Sequence, residues 1–437
     1  MTGEPPHPAV ERPDRAEPPD RGKPPVRVAP VHRVEEPERT WLELREGLGV
    51  LVDTPEALAA AARAFAAGTG PVAVDAERAS GYRYSARAYL VQLRREGSGT
   101  ALVDPMPFDD LDELGNALSG AEWILHAASQ DLPCLAELGM TPDSLFDTEL
   151  AGRLLGYPRV GLGTLVEEVL GKGMRKEHAA VDWSRRPLPE PWLEYAALDV
   201  EALIELRDVL SAELEAAGKR EWARQEFAHL RQAAPNAPRQ DPWRRTSGLH
   251  RARGRRALAA VRALWECRDE IARQRDVTPG WIIPDSAIVA AANALPRDRS
   301  ALLAVNGFHG RGAERYATRW LEALHEARAL PDDQLPPVAA RYDGPPPPRA
   351  WVDRNQQAAE RLTRSRTDLK ELAEKLVLPV ENLLTPDHLR RLMWQPPQDG
   401  AGLPNAVADK LRALGAREWQ IELSLPVLVA AIRDTGS

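Results

Sequence analysis

The chain has 437 residues, with 57 Lys and Arg against 65 Asp and Glu and a formal net charge of −8, which leaves room for two or three domains and a large buried core. It has no run of about 18 apolar residues to cross a membrane, and its Pro-, Glu- and Arg-rich N-terminus lacks the apolar centre of a secretory signal. Two cysteines far apart, Cys134 and Cys267, exclude a disulfide scaffold or a cysteine-based zinc site and fit a cytoplasmic protein.

Residues 1–38 are rich in Pro and charge and poor in apolar residues, which predicts a disordered arm. From about 40 the pattern turns α/β. Residues 55–67 read as a helix, then 72–77, 88–93 and 101–103 as strands close enough to pair as hairpins, then 123–126 as a further strand. Helices are expected over 131–138, 148–155, 163–170 and 191–217, so the region predicts a mixed sheet flanked by helices. Residues 232–256 form a linker holding seven arginines between 239 and 256, with Trp243 and His250 among them. An amphipathic helix over 255–276 opens a small all-α bundle that ends near Arg328. After a Pro-rich spacer at 331–349 a similar order of elements returns, which predicts a divergent repeat of the bundle.

The chemistry starts at Asp75-Ala76-Glu77. Alternation along a strand sends both carboxylates to one face, although a solvated strand end has the same look. Asp131 falls in the first turn of a helix, where acids also cap or answer the helix dipole. Tyr195 and Asp199 are four residues apart on a helix, one turn apart on one face. Separate elements that each deliver acids are how a chain builds a nest of oxygen ligands for a divalent cation, and such a nest is costly without one. The net negative charge leaves a nucleic-acid partner open, since binding depends on where positive charge sits.

The ordered set Asp75-x-Glu77, His126-Ala127 with Asp131-Leu132, Asp147-Thr148, Asp182-Trp183-x-x-Arg186-Pro187-Leu188 and Tyr195-x-x-x-Asp199 resembles the ribonuclease D family. That family belongs to the tyrosine branch of the DEDD superfamily of 3′-to-5′ exonucleases, and the resemblance covers residues 40 to 215. Trp265-x-x-Arg268-Asp269-x-Ile271-Ala272 and Asn306-Gly307-Phe308 resemble the helicase-and-RNase-D C-terminal (HRDC) domain. Ala76 departs from the family, which often has Thr there.

The resemblance implies a ribonuclease-H-like α/β exonuclease domain over 39–230, a linker over 231–250 and an HRDC domain over 251–330. A Pro-rich linker over 331–350 and a second HRDC-like helical domain over 351–435 would follow. It implies that Asp75, Glu77, Asp131 and Asp199 hold two divalent cations, Mg²⁺ or Mn²⁺, and that Tyr195 aims the attacking water. An unperturbed phenol, with a pKa of about 10, is a poor base at neutral pH. The implied activity is release of nucleoside 5′-monophosphates from RNA with a free 3′ end, tRNA precursors among the substrates, with no membrane and no obligate protein partner. Asp147 is expected to cap a helix and Trp183 to be core; Lys176 and Arg186 are candidates to face phosphates, and the linker arginines to track the RNA backbone. The alternatives are a DNA exonuclease of the repair type and a nucleic-acid-binding adaptor without catalysis.

Overall fold

A computed structural model of the protein describes residues 40–175, 180–232, 240–339, 344–398 and 400–434. The arm at 1–38, Lys176 and Arg239 lie outside the described residues. Six strands form one sheet: β1 (Val50–Val52), β2 (Thr69–Arg78), β3 (Ala88–Glu96), β4 (Gly99–Val103), β5 (Glu122–Leu125) and β6 (Ser144–Asp147). Their order is β1-β4-β3-β2-β5-β6. The β2–β3 and β3–β4 pairs are antiparallel, and the β1–β4, β2–β5 and β5–β6 pairs are parallel. The expected mixed sheet is therefore present, with its hairpins at the centre. Sequence periodicity missed β1 and β6, the two edges, because three or four residues are too few to display an alternation.

Alternation in β2 explains why both faces are covered. Val72, Val74 and Ala76 join a core with Leu58, Phe65, Leu114 and Leu135. These come from α1 (Pro55–Ala67), α2 (Asp112–Ala117) and α3 (Leu132–Ala136). Ala73 points the other way and joins Ile124, Phe146, Leu203 and Leu206. That second layer is built from α4 (Thr148–Leu155), α5 (Leu162–Leu170), α6 (Glu190–Glu201) and α7 (Leu203–Ala216). Helix α1 starts where expected because Thr54 accepts a hydrogen bond from the Ala57 N–H and Pro55 takes the first position. The helix expected over 191–217 is broken at Ala202, although neither Pro nor Gly marks the spot. The two halves serve different neighbours: α6 packs against β2, β3 and β4, and α7 against α4, α5 and β5.

After α8 (Arg220–Gln232) come the two helical bundles. The first comprises α9 (Gly254–Arg275), α10 (Asp285–Ala294), α11 (Arg299–Leu303), α12 (Arg311–Arg315) and α13 (Ala317–Ala329), packed around Leu264, Ile288, Phe308 and Trp320. The second comprises α14 (Trp351–Arg354), α15 (Gln356–Lys375), α16 (Val380–Leu383), α17 (Pro386–Trp394), α18 (Leu403–Ala413) and α19 (Glu418–Asp434). The repeat shows in detail. Each long first helix is followed by a left-handed residue, Asp276 at φ 45° and Val377 at φ 52°. Each also sends an arginine to a later carbonyl, Arg268 to Ile283 and Arg361 to Met393.

The bundles attach differently. The second shares a core with α7 and α8: Trp419 stacks on Trp222 at 5.0 Å, its indole N–H donates to Glu226, and Arg417 pairs with Glu226. Gly156, at φ 84°, meets Val377 so closely that an added Cβ would lie 2.6 Å from its carbonyl oxygen. The first bundle is held by the loop between β2 and β3. Tyr84 Oη donates to Asp269 at 2.9 Å, the Ser85 N–H to Asp276, and the Thr278 N–H to the Tyr82 carbonyl. The Tyr82 ring meets Trp281 edge-on.

Three of the linker arginines hold the chain rather than stand free. Arg255 donates to the Leu335 and Pro336 carbonyls. Arg256 donates to those of Ala327, Arg328 and Leu330 and pairs with Asp332. Arg244 reaches Pro337 while lying over the Trp243 ring. Arg251 and Arg253 are exposed. No helix among the described residues is long and apolar enough to cross a membrane.

Candidate active site

Asp75 and Glu77 leave β2 on the face that carries Ala73, the face covered by α6. Asp199 comes down from α6 to meet them. One carboxylate oxygen from each of Asp75, Glu77 and Asp199 lies within 4.8 Å of the others. Burial pushes the Asp75 carboxyl up to about 6. Burial, and then the charges of Asp75, Asp199 and Asp131, push Glu77 to about 10, and burial with the Asp75 charge raises Asp199 well above the carboxylate range. Carboxylates this close and this buried resist ionising together unless a cation neutralises them. The donor set is all oxygen, which suits a hard divalent ion. His126 is no part of it. Its Nδ1 bonds to the Thr148 hydroxyl, and burial lowers its pKa to about 4, so the ring is neutral.

Asp131 stands outside the trio. It occupies the N-cap position of α3 but its side chain makes no capping bond. Its Oδ1 lies 3.3 Å from Arg78 Nη2 instead. Burial and the nearby Asp75 charge push Asp131 to about 8. The turn that delivers it includes Ala127 at φ 61°, a conformation that costs a residue with a Cβ about 1 kcal/mol or more. Asp147 holds that turn in place. Its carboxylate accepts from the N–H groups of Ala127 at 3.3 Å, Ala128 at 2.8 Å and Leu150 at 3.0 Å, so one side chain both caps α4 and clasps the turn. Asp147→Ala is expected to cost about 2–3 kcal/mol and to lower turnover through Asp131. Urea unfolding and a nuclease assay on the same preparation check both.

Tyr195 donates its phenol hydrogen to Asp199 one turn along α6. Burial, then the charges of Asp199, Glu77 and Asp75, raise its pKa beyond the ordinary tyrosine range, so it keeps its proton. Trp183 is fully buried, as expected.

Arg186 is partly exposed, but its guanidinium is engaged within the protein. Its guanidinium grips both oxygens of Asp104 at 2.5 and 2.7 Å and donates to the Tyr89 and Trp183 carbonyls. It ties the run that precedes α6 to the sheet. Arg186→Ala strands a largely buried Asp104 carboxylate, and the expected loss is about 2–4 kcal/mol after allowing for the partial exposure of the arginine. Urea unfolding reads it directly.

Two residues escaped the sequence reading. Arg78 directly follows the acidic pair, and that adjacency was its only signal. Gln92 lies opposite Asp75 in the β2–β3 register, so the two share a face, and its amide is fully buried without a hydrogen-bond partner. A lone amide inside the apolar run Tyr89-Leu90-Val91-Gln92-Leu93 was a visible signal.

Residues 50–215 match a family described as 3′-5′ exonuclease, and residues 257–324 match the HRDC domain. Residues 344–432 match a family described as the C-terminal domain of 3′ to 5′ exonucleases, so the second bundle has its own description. Ribonuclease D of Gluconacetobacter diazotrophicus is 33% identical over 320 residues, 69% of this chain and 80% of that protein. A crystal structure of a protein from Bifidobacterium adolescentis is 38% identical, with a TM-score of 0.82 over 91% of this chain and all of that one. The crystal structure of Escherichia coli RNase D, described as an exoribonuclease involved in structured RNA processing, shares the fold. Its TM-score is 0.64 at 24% identity, over 88% of this chain and 98% of that one.

Proposed function

The chain belongs to the ribonuclease D family of 3′-to-5′ exoribonucleases, and on that footing we propose that Asp75, Glu77, Asp131 and Asp199 hold two divalent cations, Mg²⁺ or Mn²⁺, with Tyr195 beside them. The family uses divalent metal, and the observation that carries the assignment here is the approach of three carboxylates from two distant elements. When bound, the cations supply hydroxide near neutral pH and stabilise the departing 3′-oxygen.

The protein's own residues do the rest. Asp75 and Glu77 are fixed by the β2 backbone, which pairs with β3 through both residues and with β5 just before them at Val72 and Ala73, and Asp199 by the packing of α6 on the sheet. Tyr195, held protonated by burial and its acidic neighbours, orients the attacking water through a hydrogen bond and takes no proton. The products are nucleoside 5′-monophosphates, released from RNA with a free 3′ hydroxyl, tRNA precursors among them, in the cytoplasm. The first bundle, clasped by the loop that follows Glu77, guides the RNA end. We place the domain limits at 39–230, 251–330 and 351–435.

The test is a 5′-labelled RNA and its DNA counterpart incubated with Mg²⁺ or Mn²⁺. Laddering from the 3′ end of RNA, with 5′-monophosphate products and blockage by a 3′-phosphate, is the expected result. Faster digestion of DNA would move the assignment to a repair exonuclease. Binding of RNA without hydrolysis under either ion would make the protein an adaptor.

A further inference from the structure

Arg78 is the cation of the carboxylate cluster. It closes β2 directly after Glu77, with its side chain about a quarter exposed, and its Nη2 lies 3.3 Å from Asp131 Oδ1 and 3.4 Å from Gln130 Oε1. Its positive field also bears on Asp75 and Glu77. Asp131, the acid it pairs with, is the one that stands outside the group of three.

We propose that Arg78 exchanges partners: it holds Asp131 by their direct contact in the metal-free protein, and in the loaded enzyme it lets go of Asp131 and binds a phosphate of the RNA. The inference rests on the assignment of Asp131 as a metal ligand. A guanidinium and a divalent ion compete for one carboxylate, since each repels the other at that range. Once Asp131 turns to the metals, Arg78 has lost its anion. It stays tethered to the end of β2, where the anion that arrives is the substrate backbone, and its planar fork of N–H donors matches two phosphate oxygens. By linkage, RNA that holds Arg78 away from Asp131 strengthens metal binding, and metal strengthens RNA binding. The substrate thus helps to load its own catalytic site.

The experiment uses the full chain with Arg78→Ala, Arg78→Gln and Arg78→Lys. Calorimetric titration with Mn²⁺ in the absence of RNA is the first readout. Removing the competitor is expected to tighten Mn²⁺ binding on the order of tenfold in the Ala and Gln variants, with Lys near wild type. Steady-state digestion of a 3′-tailed RNA at several salt concentrations is the second. KM is expected to rise about tenfold in the same two variants, with a salt dependence shallower by about one phosphate contact. Weaker Mn²⁺ binding in the Ala and Gln variants would show that Arg78 merely orients Asp131 as a supporting group, and would overturn the exchange. Unchanged Mn²⁺ binding, or an unchanged KM, would overturn it as well. If the wild type digests no RNA, the assigned activity falls, while the Mn²⁺ titration still decides the competition between Arg78 and metal.

Discussion

Asp199→Ala is expected to reduce hydrolysis at the RNA 3′ end on the order of 10³-fold or more, while leaving a protein at least as stable as the wild type in chelator. The two halves of this result have one cause. Asp199 lies within reach of Asp75 and Glu77, and burial with the Asp75 charge holds its carboxyl well above the usual range. A group in that state holds its proton in the folded protein at a pH where the unfolded chain releases it, and that uptake weakens the fold, so its removal relieves the cost. In the loaded enzyme as proposed the same oxygen would be a ligand, and losing one arm of the clamp would remove stabilisation of charge that appears only in the transition state. Asp199→Asn keeps the shape and separates charge from packing. Urea unfolding in EDTA, set beside single-turnover digestion with Mn²⁺, reads both halves. Activity within tenfold of wild type in either variant would end the assignment of this residue.

The metal-free protein is expected to lose stability as pH rises from about 5 to 8, and divalent cation is expected to restore it. In the folded chain Asp75 titrates near 6, Asp131 near 8 and Glu77 near 10, against ordinary values of 3.8 and 4.5. Each carboxyl binds its proton more tightly folded than unfolded. Its contribution is therefore complete below pH 4 and is lost as pH climbs through the folded value. Asp75 alone accounts for a loss of about 3 kcal/mol between pH 4 and 7, roughly half of it above pH 5, and Asp131 extends the fall to about pH 8. Cations bind the deprotonated form, so Mn²⁺ should raise the melting temperature more at pH 8 than at pH 5.5. Thermal melts in EDTA and in Mn²⁺ across that range are the measurement, with Glu77→Gln as the control that flattens the EDTA curve. Stability that rises with pH in EDTA would contradict the burial of this cluster.

Much of the site was legible because the interactions concerned are local. Two residues apart on a strand must share a face, which joins Asp75 to Glu77. Four apart on a helix must meet, which gives the Tyr195–Asp199 hydrogen bond. Asp147 before Thr148 reads as a helix cap, and it accepts from the Leu150 N–H. Its second duty, clasping Ala127 and Ala128 from another strand, has no local trace.

The sequence by itself determined the longer elements and the face that Asp75, Glu77, Tyr195 and Asp199 share within their own element, since backbone periodicity sets both within a few residues, while the short edge strands β1 and β6 left no such pattern. Tertiary structure decided what every long polar side chain does. Arg186 grips Asp104, Arg255 and Arg256 hold carbonyls of a distant segment, Arg78 takes Asp131, and the helix over 190–216 breaks at Ala202 to serve two sets of neighbours. An arginine can reach any acceptor within several ångströms of its tether. Its partner is therefore chosen by what the fold places across from it, often eighty residues away, and no pattern along the chain records that choice.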